Sequence, residues 1–271
     1  MTASIASLHV YPVKSCRGLT LEAARMGERG LAFDREWMIV DSDDRFVTQR
    51  ELPRLALVVP SLTANALELE FPGSRRLSVP LDITAAARQV VVWRDSVPAI
   101  DQGDEAAAWL SAALQRPLRL MRFDVGFRRT CNVAYAGNSG AHTAFADAYP
   151  LLILSEASLA DLNSRLSQPL PMNRFRPNLV LSGIEAYDED HIDEIRVGML
   201  SLKLVKRCTR CQITTTDQST TVVGAEPLAT LASYRKDPVL EGVAFGMNAI
   251  VTSGVGNTLH RGDNVSYAFR F

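Results

Sequence analysis

Long apolar runs are missing from this 271-residue chain, and nowhere do the roughly 20 successive apolar residues of a membrane-crossing helix occur. The first residues, MTASIASLHVYPV, lack the basic start and continuous apolar stretch of a secretory leader. Cysteine is scarce. Cys16, Cys131, Cys208 and Cys211 are too few and too unevenly placed for the disulfide framework of a secreted domain. They also form no four-cysteine run that would hold an iron-sulfur cluster. An excess of one charge is missing too: 29 Lys and Arg against 30 Asp and Glu leave a net charge of −1, which argues against nucleic acid or a membrane surface as partner. Internal repeats and low-complexity segments are absent. What remains is a globular chain, read as cytoplasmic, whose thiols are reduced.

With 47% hydrophobic and 22% charged residues, the chain is long enough to bury a large core divided over two domains. Residues 4–13 suit an edge strand running into a turn at Tyr11-Pro12. Residues 31–40 and 45–48 read as a hairpin around the polar cluster Asp41 to Asp44, with Arg35 inside the first arm. Short strand candidates follow at 55–61, 67–71, 77–81 and 89–94, at the close spacing of barrels and sandwiches. A helix over 101–114 ends before Pro117, and a strand follows at 118–123. Residues 124–141 read as a long loop. Ser155 caps a helix running to Leu166. Strands are expected at 178–182, twice within 194–205, at 249–252 and at 265–269, with a short helix after Glu226-Pro227. The class is α+β and β-rich, with three to four helices and domains expected over 1–120 and 121–271.

One stretch concentrates reactive groups. Lys206 to Asp217 places two thiols, Cys208 and Cys211, among three cations, and positive charge near a thiol favours the nucleophilic, metal-binding thiolate. A zinc site would need a second closely spaced pair of ligands, whereas the other two cysteines and His9, His142, His191 and His260 stand singly. A thioredoxin-type pair should open a helix, for which Thr214-Thr215-Thr216 is a poor start. Two incidental thiols at a strand end, or one functional thiolate at a metal held mainly by something else, are the remaining readings. The last requires anion-binding groups elsewhere. Lys14-Ser15 in a turn, Arg35, and the pair Arg174 and Arg176 beside Pro177 are candidates, because the planar guanidinium suits phosphate. Isolated arginines are more often surface charges or salt-bridge partners.

Taken together, residues 11–18 (YPVKSCRG), Asp34-Arg35, 151–166, 173–178 (NRFRPN), Arg210-Cys211 with the threonines and Asp217, 226–231 (EPLATL), Phe245-Gly246 and Gly262-Asp263 resemble the MOSC family, in particular its amidoxime-reducing branch. The likeness runs in order along almost the whole chain. It implies a MOSC β-barrel over 121–271 packed with an N-terminal MOSC-associated β-barrel domain over 1–120, with the cofactor site between them. It also implies a molybdenum cofactor (Mo-molybdopterin) with Cys211 as metal ligand, and no pyridoxal phosphate. Cofactor contacts carry over to Lys14, Ser15, Arg35, Arg176, Thr209 and Arg210, Thr209 standing in for a serine. Asn248 falls where the amidoxime-reducing branch has a tyrosine, and Arg174 replaces a neutral residue. Asp147 is a candidate catalytic acid, in a region that departs most from that branch. The implied activity is reduction of small N-hydroxylated compounds, such as amidoximes, hydroxylamines and N-hydroxylated bases, to the parent amine. With neither a ferredoxin-like extension nor a membrane-targeting segment in evidence, electrons are expected from a separate soluble donor of ferredoxin, flavodoxin or cytochrome type. The alternative is a sulfur or molybdenum-cofactor carrier acting through a Cys211 persulfide or thiolate.

Overall fold

The computed structural model describes residues 3–270. Seven strands close into a barrel: Leu151–Ser155, Leu179–Ser182, Ala3–Val10, Asn264–Phe269, Ile192–Val197, Leu200–Thr209 and Gly242–Ser253 lie side by side, and the last pairs back onto the first. The alternation that builds it is plain in Leu200–Thr209, where Leu200, Leu202 and Leu204 point inward between more exposed neighbours. Ile5, Leu8, Ile153, Leu181, Ile195 and Met247 complete that core. One neighbouring pair, Leu151–Ser155 with Leu179–Ser182, is parallel. It therefore needs a crossover, which the helix Glu156–Ser164 supplies. Ser155 caps this helix by accepting from the Ser158 amide at 3.0 Å.

The N-terminal strand is not the edge strand its composition predicts. It lies inside the barrel, paired with Leu179–Ser182 on one side and with Asn264–Phe269 on the other. The chain then leaves the barrel at Tyr11-Pro12 and builds a second layer. Trp37–Val40, Arg119–Phe123, Asp95–Asp101 and Arg88–Val92 form a four-stranded sheet, and Val59–Leu62, Ala66–Glu70 and Leu77–Pro80 a three-stranded one. The helix Asp104–Leu114 joins both through Trp109, Leu110 and Leu114, which share a core with Trp37, Leu67 and Val79.

Several expectations need correction. The arm expected over 31–40 is strand only at Gly30–Leu31 and Trp37–Val40; the residues between turn back, so Arg35 sits in a turn and not mid-strand. Residues 45 and 46 contribute isolated bridges rather than an arm. Pro53–Leu57 is a 3-10 turn, so the strand there starts at Val59. Val133–Ala136 forms a short helix inside the expected loop. The strand expected over 249–252 extends across Gly242–Ser253. Gly246 hides that length from a pattern search: at φ +84 it brings its backbone so close to the neighbouring strand that an added Cβ would lie 2.8 Å from Leu154 Cγ and 2.9 Å from the Ile153 carbonyl.

Glu189, fully buried, ties the crossover together. It accepts from the Ser155 amide (3.2 Å), the Ser155 hydroxyl (3.0 Å) and the Ser158 hydroxyl (2.7 Å). Glu189→Ala strands those donors in the core and is expected to cost about 2–4 kcal/mol in urea unfolding. A loss below about 0.5 kcal/mol would show that water replaces the carboxylate at no penalty.

Candidate functional site

Four non-glycine residues around one cavity hold a left-handed backbone: Ser15 (φ 65), Arg35 (φ 50), Trp93 (φ 57) and Arg176 (φ 57). Each costs on the order of 1 kcal/mol or more and persists only where its surroundings over-determine it, a pattern typical of ligand clamps. Those surroundings are visible. The Ser15 carbonyl accepts from Gln49 Nε2 at 2.7 Å, and Arg35 is pinned on both sides by the Tyr11 carbonyl and the Phe145 amide. The Arg176 carbonyl accepts from Arg35 Nη2 at 3.2 Å. Tyr11 is the common support. The guanidinium groups of Arg35 and Arg176 each stand 4.2 Å from its ring centroid, and its ring sits against Gly18, where a Cβ would lie 2.3 Å from Tyr11 Cε1. Burial pushes the Tyr11 phenol up to about 12, so it remains neutral.

The cavity has a volume of about 330 Å³ and is lined by residues from both layers. Lys14, Ser15, Arg35, Asp147, Arg176, Thr209, Arg210, Cys211 and Asn248 all border it. Its cations outnumber its acids. Lys14 Nζ pairs with Asp147 Oδ1 at 2.5 Å and donates to the Phe145 carbonyl at 2.7 Å. Arg35 pairs with Asp34 at 2.5 Å. Among the described residues the Arg176 guanidinium donates only to the Cys16 carbonyl, at 2.7 Å, and that of Arg210 only to the Phe175 carbonyl, at 2.6 Å, and to a thiol. Burial, then the neighbouring Arg35 charge, pull Arg176 down to about 10. Among the described residues the Arg210 Nε is buried without a partner, as is that of Arg174 just outside the lining. An interior so charged calls for an anion.

The two thiols of Lys206 to Asp217 occupy different places. Cys208 lies at the end of the strand Leu200–Thr209 and accepts from Arg210 Nη1 at 2.9 Å. Cys211 is exposed at the cavity wall and heads the 3-10 turn Gln212–Thr215, whose Thr214 amide and hydroxyl close onto the Cys211 carbonyl at 3.1 and 3.0 Å. Arg174 secures the loop beyond, donating to Asp217 Oδ2 at 2.8 Å. Asn248 donates to the Lys206 carbonyl at 3.2 Å, fixing its amide against the same strand. The other thiols are inert, burial raising Cys16 to about 12 and Cys131 to about 11. Among the described residues no three His, Cys, Asp or Glu side chains cluster to hold a metal ion, so a metal at Cys211 would take its other ligands from outside the chain. A cofactor bringing its own sulfur ligands and a phosphate fits that donor set: an exposed thiol with Lys14, Arg35, Arg176 and Arg210 around it.

Asp147 does not suit a general acid. Burial is the largest single influence on its carboxyl and acts against ionisation. The Lys14 charge and hydrogen bond, with the Trp93 indole at 3.1 Å, outweigh it and hold the carboxyl well below the usual range. In return Asp147 counters the burial that lowers Lys14. Because the folded Lys14 loses its proton more easily than a free lysine, anion binding that needs its charge fades as pH rises, and does so at a lower pH than a free lysine would dictate. Asp147→Asn is expected to move that fade to lower pH in a titration of phosphate binding to the cofactor-free protein. An unmoved curve would disconnect the pair from the anion.

Sequence reasoning missed Tyr11, Asp34 and Asn178 as site components. Asn178, buried behind Pro177, accepts from Arg35 Nη1 at 3.1 Å and the Leu152 amide at 3.1 Å. Its adjacency to the Arg176-Pro177 pair was the available signal. It also missed Arg50 and Trp93, which reach the cavity from the other layer and carry no motif.

The MOSC N-terminal beta barrel domain matches residues 2–117 and the MOSC domain matches residues 140–266. "Mitochondrial amidoxime reducing component 2" of Rattus norvegicus is 36% identical over 280 residues, covering 95% of this chain and 83% of its own. "Mitochondrial amidoxime-reducing component 1" of Homo sapiens is 36% identical over 257 residues, 91% of this chain and 76% of its own. The solved YUAD protein of Bacillus subtilis is 13% identical with a TM-score of 0.42, covering 98% of this chain and 94% of that one.

Proposed function

The chain belongs to the MOSC family, and from that footing we propose that it is a molybdenum-cofactor-dependent oxidoreductase that reduces N-hydroxylated compounds. Two electrons and two protons convert an N–OH group to N–H and water. The cofactor supplies the two-electron chemistry that breaks the N–O bond, and a separate soluble electron-transfer protein resupplies the electrons. Cys211 is the protein's metal ligand, a soft thiolate suited to a metal already held by sulfur. Lys14, Arg35, Arg176 and Arg210 neutralise the cofactor's phosphate and orient its pterin, with Ser15 and Thr209 adding hydroxyl donors. Asn248 lines the wall. Asp147, held ionised, positions Lys14 and accepts a hydrogen bond at the mouth. In this reading the two barrel domains meet near residue 120, except that the strand Ala3–Val10 belongs to the C-terminal barrel, and the cofactor lies between them.

The observation that carries the reading is the convergence of residues from eight separate segments on a single cation-rich cavity at whose wall the Cys211 thiol is exposed. Metal and pterin analysis of the purified protein, followed by benzamidoxime reduction with an artificial electron donor, tests it. Molybdenum-loaded protein that reduces no N-hydroxylated substrate would sink the reaction, and protein purified without molybdenum or pterin under molybdenum-replete expression would sink the cofactor. A carrier acting through Cys211 would instead show a persulfide, about 32 Da heavier, in the intact mass.

A further inference from the structure

Beside the Cys211 cavity lies a second, more open hollow of about 580 Å³. The two share Arg50, Trp93 and Asp147 and so run into one another. The hollow's central side chain is one that local folding does not call for. Trp93 and Arg94 form the two-residue turn between Arg88–Val92 and Asp95–Asp101, with Val92 paired to Asp95. Turns of this length favour Asn or Gly where φ is positive. Here that position holds Trp93 at φ 57, and a bulky side chain there is a true backbone outlier.

The ring is nevertheless held firmly while 41% exposed. Its indole N–H donates to Asp147, the Arg50 guanidinium lies 4.5 Å from its centroid, and the Phe46 ring lies 5.1 Å away, tilted by 53°. Strain retained to present a fixed aromatic surface at a cavity mouth is the pattern of a ligand clamp.

Charge gives the second part of the argument. The hollow's acids are engaged: Asp95 pairs with Arg129 at 2.7 Å and Asp147 with Lys14 at 2.5 Å. Arg45, Arg50 and Arg94, which also line it, form no ion pair among the described residues, and Arg45 and Arg94 are exposed. Their forks are free for a carboxylate or phosphate.

We propose that this hollow binds the non-reacting part of the substrate: a planar ring against Trp93 beside Arg50, and an anionic substituent, carboxylate or phosphate, on Arg45 and Arg94. The inference rests on the reductase reading and narrows it. Preferred substrates are anionic, aromatic N-hydroxylated compounds, and binding energy gathered at the hollow holds the N–OH group at the inner cavity.

Two matched pairs test this on the full chain: benzamidoxime with 4-carboxybenzamidoxime, and N4-hydroxycytidine with its 5′-monophosphate. Binding is read from the tryptophan fluorescence change that Trp93→Phe abolishes, and turnover from kcat/KM. The charged member of at least one pair should bind about tenfold more tightly than its neutral partner, the pair showing which anion is held. That advantage should shrink with added salt and vanish when Arg45→Ala and Arg94→Ala are combined, the neutral members binding as before. Equal affinities within both pairs, or an advantage that survives the double variant, overturn the proposal. Because binding is read without turnover, a protein that binds the charged members but reduces nothing refutes the reductase reading and leaves the hollow's assignment standing.

Discussion

Cys211→Ser is expected to lose bound molybdenum and more than about 99% of reductase activity, while Cys208→Ser keeps both within a few-fold. The first expectation follows from ligand chemistry. A serine hydroxyl stays protonated at neutral pH and is a hard oxygen donor, whereas the proposed metal ligand is a soft sulfur. Losing an outer-sphere partner of a metal ligand typically costs 10–100-fold in affinity or activity, and losing the ligand itself should exceed that range. The second expectation follows from what Cys208 does. Its sulfur accepts from Arg210 Nη1 at 2.9 Å, and a serine oxygen can accept the same bond. Cys208→Ala, which cannot, should weaken cofactor retention by leaving Arg210 with only the Phe175 carbonyl. Molybdenum content, the cofactor's absorbance and benzamidoxime turnover are the readouts. If both serine variants lose the metal alike, the two thiols act as a pair and the division of roles between them is wrong.

That division was only half legible in the sequence. Cys-x-x-Cys spacing presents two equivalent thiols, and resemblance to the MOSC family points to Cys211. The physical asymmetry appears only when Leu200–Thr209 ends just past Cys208 and the chain turns at Cys211 into Gln212–Thr215. The barrel was legible where alternation is clean, as in Leu200–Thr209, and illegible where a close backbone approach imposes Gly246 inside a long strand. The edge-strand reading of the N-terminus failed because its partners, Leu179–Ser182 and Asn264–Phe269, lie far away in sequence, and local composition carries no information about them. Among the cations, Lys14, Arg35 and Arg176 could be suspected from a turn and a proline. The support that Arg35 and Arg176 share on Tyr11, and their left-handed backbones, could not, since nothing in a single residue's identity announces a positive φ outside glycine. Trp93 is the extreme case: its turn is legible as a hairpin, but its ring sits where turn chemistry would place Asn or Gly.

Arg176→Met is expected to make the cofactor-free protein more stable and the cofactor-loaded protein less so. Arg176 is 9% exposed and has no acidic partner of its own; burial and Arg35 pull it to about 10 from an ordinary 12.5. That gap corresponds to about 3 kcal/mol against the charged form. Because the folded value lies below the unfolded one, the unfolded chain binds more protons between the two, stability rises with pH across that window, and the whole penalty is present at neutral pH. Methionine fills similar space without charge. It gives up the bond to the Cys16 carbonyl, at about 1 kcal/mol, and the contact with Tyr11, leaving a net gain of about 1–2 kcal/mol in urea unfolding of the cofactor-free protein. Binding reverses the order. A ligand held only by the folded state stabilises it in proportion to RT ln(1 + [L]/Kd), and the variant lacks one of the cations that would hold the cofactor's anionic groups. Crossing of the two stability orders on loading marks Arg176 as a residue kept for its ligand at the expense of the empty fold. A variant less stable in both states would make Arg176 a structural tie to the Tyr11 to Cys16 turn, and the anion site would then rest on Lys14, Arg35 and Arg210.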